Sequence, residues 1–357
     1  MVVKPISIFI YSFVSFLLAL FIFPVLIKLL TQWKVLDSPG MHKIHQKFTP
    51  SIGGLPIVVG VAFCLLLALP LSDLAKYKFF FIATSLMFIT GLRDDILTLS
   101  PRQKMVSQFL PIIILVVFGG VVLNSFYGLF PGIVFNVYVS WIVTILVILI
   151  LTNAYNLIDG LDGLAGAIGL IALIFFGTWF YFAGSSVLTL ISFSFAGAII
   201  AFLIFNWQPS RIFMGDTGAL TIGFLLSYLF IQFININHRL SSDHLLKFNA
   251  SISTAICILI IPVFDTIRVI ILRLSKFQSP MRGDKNHLHH QLLRLGFTHS
   301  RSVIVLGSIN ILFLSLAWVL RYQTDTVILP IVTVLCLVIN QGLRFIIRKR
   351  IKNEGKG

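Results

Sequence analysis

The sequence predicts an all-α polytopic membrane protein with about eleven transmembrane helices. Three observations carry that prediction. Hydrophobic residues fill 58% of the 357 positions and charged residues only 11%, where a soluble domain carries about 25% charge. Mean hydropathy is +1.00. The uncharged stretches 105–158 and 163–210 each exceed the roughly 20 apolar residues that one helical span needs, so each must hold more than one.

The spans are expected near 6–30, 55–71, 79–92, 106–123, 133–152, 164–182, 187–206, 218–236, 250–272, 302–320 and 326–345. The first is too long for the apolar core of a signal peptide and has no small-residue cleavage site after it, so it is retained as a helix. The second follows the turn Gly53-Gly54-Leu55-Pro56, and the third is short and runs into GLRDDI. Spans four to seven divide the two long uncharged stretches. The eighth opens on Gly215-Asp216-Thr217-Gly218, and the ninth ends in PVFDTIRVIILR. Residues 1–345 form one integral-membrane domain. Residues 346–357 form a basic tail suited to anionic lipid headgroups.

The net charge of +15 is a topology signal rather than a sign of nucleic-acid binding. With eleven spans, the odd-numbered loops, the tail and Arg268 at the end of the ninth span together carry twenty Lys and Arg; the other side carries six, namely Lys4, Lys76, Lys78, Arg239, Lys247 and Arg321. Loops facing the cytoplasm hold the excess of Lys and Arg. This places the N-terminus outside and the C-terminus in the cytoplasm. Cys64, Cys257 and Cys336 lie far apart in apolar stretches and read as packing residues rather than metal ligands.

The acidic residues give a second, independent signal. Seven of the twelve Asp and Glu fall in five islands: Asp94 and Asp95; Asp159 and Asp162; Asp216; Asp265; and Asp284. All five lie on the side that the Lys and Arg distribution makes cytoplasmic. Carboxylates beside apolar helices are costly, and one site at the cytoplasmic membrane face is the economical explanation. In GLRDDI, adjacent residues lie about 100° apart on a helix, so Asp94 and Asp95 must point differently. In NAYNLIDGLDGLAG, a three-residue spacing puts Asn153, Asn156, Asp159 and Asp162 on one broad helical face. Asp216 opens a helix, where it is either a ligand at an anion-binding N-terminus or an N-cap. Phe213 lies three residues earlier, where it packs a base or seats the turn. His287, His289 and His290 lack the spacing of a zinc site and suit a diphosphate better. Asp265 and Arg268, one turn apart, read as an ion pair or as catalytic groups. His42, Lys43, His45 and Lys47 make a basic loop.

Taken together, GLRDDI with SPRQK, NAYNLIDGLDGLAG, IFMGDTGAL, PVFDTIRVIILR and DKNHLHHQLLRLG resemble, in order, the motifs of the polyprenyl-phosphate N-acetylhexosamine-1-phosphate transferases. This is the WecA/TagO-like branch of glycosyltransferase family 4, related to phospho-MurNAc-pentapeptide transferase. The resemblance covers residues 35–300. It implies attack by undecaprenyl phosphate on the β-phosphate of a UDP-N-acetylhexosamine, releasing UMP and starting a cell-envelope glycan such as O-antigen or teichoic acid. It also implies a bacterial cytoplasmic membrane enzyme using Mg²⁺, with Mn²⁺ as a substitute. By this likeness Asp94, Asp95, Asp159, His289 and His290 are catalytic. Lys104, Asn156, Asp162, Phe213, Arg282 and His287 bind substrate, and Asp216 with Asp94 binds metal. The His-Leu-His-His form is similar to the UDP-N-acetylglucosamine branch rather than to the muramoyl-pentapeptide branch, which has three consecutive histidines. Membrane lipid is the other partner, nucleic acid is not expected, and a homodimer is compatible with the sequence. The rival class is a secondary transporter, but transport sites sit near the midplane between repeated halves, and no repeat is visible.

Overall fold

The computed structural model describes residues 5–33, 49–130, 132–277 and 287–354. Those residues form helices α1 (Pro5–Gln32), α2 (Gly54–Ala68), α3 (Leu71–Lys76), α4 (Lys78–Leu97), α5 (Pro101–Ile113), α6 (Val137–Leu157), α7 (Leu164–Phe182), α8 (Ser186–Asn206), α9 (Gly215–Arg239), α10 (Ser251–Ile258), α11 (Ile260–Leu274), α12 (Leu288–Arg294), α13 (His299–Val319) and α14 (Asp325–Glu354). A π-helical turn, Ile114–Phe118, extends α5. An isolated β-bridge pairs Ser125 with Val134. Ten of the eleven expected spans each fall mainly on one helix, the fourth together with its π-helical turn, and the ninth, 250–272, is divided between α10 and α11. The short helices α3 and α12 were not expected, and the basic tail continues α14 as helix to Glu354.

Eight of these helices are long and apolar enough to cross a membrane, and α10 with α11 makes a ninth if the bent pair is one span. The helix α2 has 15 residues and is a shorter apolar element. The helix α4 has 20 residues but carries Arg93, Asp94 and Asp95 close to its C-terminal end at Leu97, and is not among the eight.

The bundle is built around α9. Both α4 and α6 pack along it, while α1 and α7 pack on α8. Of the apolar stretch of α9, 83% is buried, against 22% for the peripheral α14. Small and hydroxyl residues let these helices approach closely, as expected inside a membrane bundle. A Cβ on Gly54 would lie 2.2 Å from the Gly218 nitrogen, so α2 and α9 touch backbone to backbone. The Thr152 and Ser227 hydroxyls meet at 3.4 Å between α6 and α9. The outward faces carry large apolar side chains such as Phe9, Phe21, Leu312 and Val319.

The bend between α10 and α11 is 91° and has a local cause. Pro262 has no N–H for the Ile258 carbonyl four residues earlier. The Asn310 amide of α13 donates to that carbonyl at 3.1 Å instead.

Candidate active site

Four helix ends meet around one ammonium group. Ser100 opens α5 with a capping box: its hydroxyl accepts the Gln103 N–H at 3.4 Å, and the Gln103 carboxamide oxygen accepts the Ser100 N–H at 3.0 Å. Pro101 pre-sets the first turn. This fixes Lys104 close to the start of α5. Its ammonium lies 3.1 Å from Asp94 Oδ2, donates to Asp216 Oδ1, and donates to Asn156 Oδ1 at 3.4 Å. The Asn156 amide donates to the same Asp216 oxygen at 2.5 Å. The Asp94 side chain is only 6% exposed and that of Asp216 is 27% exposed. Asp94 also accepts the Leu99 N–H at 2.7 Å. Burial, with Asp216 nearby, holds its carboxyl above the usual range despite Lys104.

Asp95 points elsewhere, as adjacency on a helix required. Its carboxylate accepts the backbone N–H groups of Asp216 at 2.8 Å and Thr217 at 2.9 Å, and the Thr217 hydroxyl at 2.5 Å. Ser51 donates a longer bond of 3.4 Å. Asp95 is therefore a tertiary cap on α9. Asp216 does not serve as that helix's N-cap; it sits in the first turn with its side chain free to hold Lys104 and Asn156. Burial pushes the Asp95 carboxyl up to about 6. Gly215 has φ +69, and a Cβ there would stand 2.5 Å from Asp95 Oδ2, so this turn requires glycine.

The expectation of one helical face for Asn153, Asn156, Asp159 and Asp162 fails. The helix α6 stops at Leu157, because Gly160 and Gly163 are poor helix formers and Gly163 takes φ +79. Asn153 instead donates to the Gln108 carboxamide at 2.8 Å, tying α6 to α5. The turn after α6 is held by Asn206, which accepts the Gly163 N–H at 2.8 Å. Asp162 is buried 3.2 Å from His299 Nδ1, and Asp159 lies half-buried in the same turn.

The histidines lie against that turn. A Cβ on Gly160 would meet His289 Nε2 at 3.1 Å. The His287 and His289 rings are parallel with centroids 5.7 Å apart, and His290 follows at 4.3 Å from His289. Burial, with His290 beside it, lowers His289 to about 3, which favours the neutral imidazole. Phe213 is half-buried; its N–H donates to the Pro50 carbonyl and its own carbonyl accepts the Gly53 N–H, both at 2.9 Å. Arg282, Asp284 and the basic loop from His42 to Lys47 lie outside the described residues.

The structure thus joins Asp94, Lys104, Asn156 and Asp216 in one cluster. A second cluster combines Asp265 with the three histidines, Asp162 pairs with His299, and the two clusters meet along the turn from Asn156 to Gly160. Sequence reading missed Ser51, Asn206 and His299, which hold the clusters in place. Their types are common in loops, and no spacing singled them out. Two carboxylates and a carboxamide around one cation form the all-oxygen donor set that suits Mg²⁺, with substrate oxygens completing the shell. No three His, Cys, Asp or Glu side chains among the described residues could hold a metal alone.

Comparison with known proteins agrees with this architecture. The chain is 32% identical over 341 residues to a protein of Bacillus subtilis named probable undecaprenyl-phosphate N-acetylglucosaminyl 1-phosphate transferase, covering 94% of this chain and 90% of that one. The model of glycosyl transferase family 4 matches residues 77–234. The chain belongs to glycosyl transferase family 4. Undecaprenyl-phosphate alpha-N-acetylglucosaminyl 1-phosphate transferases of Yersinia pestis and Escherichia coli K12 are 28% and 26% identical, over 76% and 81% of this chain and 73% and 77% of theirs. The family 4 match holds α4 to most of α9, and so the whole Asp94–Lys104–Asn156–Asp216 cluster. Asp265 and the histidines lie beyond it.

Proposed function

We propose that this protein transfers N-acetylglucosamine 1-phosphate from UDP-N-acetylglucosamine to undecaprenyl phosphate, releasing UMP and starting a cell-envelope glycan. The single observation that carries the reading is Lys104 between Asp94 and Asp216 in a chain so similar to transferases of that name. A phosphate oxygen of the lipid attacks the β-phosphorus of the donor. A new P–O bond forms there, the bond from that phosphorus to the bridging oxygen breaks, and UMP leaves with the electron pair.

Diphosphate displacement is chiefly alignment and charge neutralisation. Lys104 meets phosphate oxygens as a point charge. Asn156 fixes the rotamer of Asp216. Asp94, raised by burial, takes the acceptor phosphate's proton. Phe213 packs the uracil, and neutral His289 with His287 and His290 hydrogen-bonds the diphosphate or sugar. Asp216 with Asp94 holds Mg²⁺, which when bound supplies positive charge to the diphosphate; Mn²⁺ can replace it. Direct displacement is proposed in place of a covalent aspartyl intermediate. The acceptor's phosphate lies at the headgroup level and its chain in the bilayer, which explains a site at helix ends. The protein crosses the bacterial cytoplasmic membrane eleven times, N-terminus outside, with this site on the cytoplasmic face.

The test is transfer of radiolabelled sugar phosphate from UDP-N-acetylglucosamine to undecaprenyl phosphate by purified protein, with and without Mg²⁺. The expected result is metal-dependent lipid product that disappears in Asp94→Asn and Asp216→Asn. Product only with UDP-muramoyl-pentapeptide would overturn the donor, and inactivity of folded protein with every UDP-sugar would overturn the reaction.

A further inference from the structure

The Asp265 carboxylate sits where three elements meet. It lies on α11, and its side chain is 2% exposed. One oxygen accepts the Leu288 N–H at 2.9 Å, the first backbone N–H of α12, and also the Arg268 guanidinium at 2.9 Å. The other oxygen lies 2.8 Å from His287 Nδ1. The helix α12 has no side-chain cap of its own, and a short helix starting in a buried place needs partners for its first N–H groups. Asp265 provides one of them from another helix. The same carboxylate sets the imidazole next to it: with Nδ1 facing an oxygen, Nε2 of His287 is turned away from it. The parallel stacking of His287 on His289 carries the placement one ring further, to the imidazole against Gly160.

A second contact holds Asp265 itself. Arg268 is buried and uses its other amino group on Asn340 Oδ1 of α14, at 3.5 Å. Asn340 is buried too, on a helix that is otherwise largely exposed. A buried amide on such a helix needs a partner, and this one faces the guanidinium.

We infer that Asp265 is a positioning residue for the histidine cluster, held in register from the C-terminal helix through Arg268 and Asn340. This rests on the reading above, in which the histidines serve the transfer reaction. Asp265 touches no reacting atom in that scheme; it acts through His287 and the start of α12.

Two readouts test it. The first is a double-mutant cycle of Asp265→Asn and His287→Ala in the transfer assay. Each single change should lower kcat on the order of 10- to 100-fold, as when a carboxylate behind a working histidine is removed. The double variant should be no worse than His287→Ala, because residues acting as a unit are not additive. Losses that multiply would overturn the inference. The second needs no turnover: carbethoxylation of histidines by diethyl pyrocarbonate, followed by mass spectrometry. His287 and His289 should label several-fold faster in Asp265→Asn and in Asn340→Leu, with His238 and His244 unchanged, and Asn340→Asp should restore the slow rate. Unchanged labelling of His287 and His289 would sink the inference. A wild type that labels as expected but transfers nothing would instead count against the proposed reaction.

Discussion

Asp95 and Asp94 are neighbours in sequence with different work to do. Asp94 faces Lys104, while Asp95 closes the N-terminus of α9 and so places Asp216. That division makes a pH-dependent prediction. The folded protein holds the Asp95 proton up to about pH 6, whereas the unfolded chain releases it near pH 4. Between those values the native state binds more protons, so stability falls as pH rises. The margin of wild type over Asp95→Ala in thermal unfolding should therefore shrink from about pH 4 to about pH 6 and stay flat above. A margin that grows through this window would refute the assignment. At neutral pH the loss of the cap should still cost about 0.5–2 kcal/mol.

Elements show where backbone groups decide the shape. The break between α10 and α11 leaves the Ile258 carbonyl without an intrahelical donor, and Asn310 supplies one from α13. Asn310 is fully buried, so nothing else replaces it at once. Asn310→Leu should cost about 1–3 kcal/mol, the penalty for a buried unsatisfied carbonyl. Unfolding of purified protein in detergent, followed by tryptophan fluorescence, checks this; a change below ~0.5 kcal/mol would mean that the carbonyl finds another donor. The same bend sets the direction in which α11 carries Asp265 toward α12, so Asn310→Leu should also lower transfer activity. Glycine at 215 belongs to this scale as well, since only a residue without Cβ fits between Asp95 and Ser51.

At the scale of the molecule the prediction is orientation. Single cysteines on a cysteine-free background report it by labelling with a membrane-impermeant maleimide. Ser100→Cys, between α4 and α5, should react only after the cytoplasmic side is opened; Ser242→Cys, between α9 and α10, should react in intact cells. The opposite pattern would invert the topology and put the Lys104 cluster on the outer face. Much of the architecture was readable in advance. Apolar length located the helical segments, and residue type located the acidic islands that the described residues hold, because both are set by the cost of placing charge in hydrocarbon. The bent α10–α11 pair and the short α12 were not readable. A proline inside an apolar run does not say how far a helix turns, and seven residues after a polar loop give too little period to recognise.

By itself, the sequence determined that the chain is a helical membrane protein and which polar residues could form its site, since hydropathy and residue chemistry are local properties. Spacing could not determine which of these residues touch. The run from Asn153 to Asp162 looked like one face, yet the glycine turn divides it between an amide pair, the Lys104 cluster and the histidines. Only the tertiary structure assigned Asp95 to a helix end and Lys104 to the space between two carboxylates, because those partners come from helices up to 122 positions apart in the chain. Hydrogen-bond geometry across packed helices is a property of the assembled bundle.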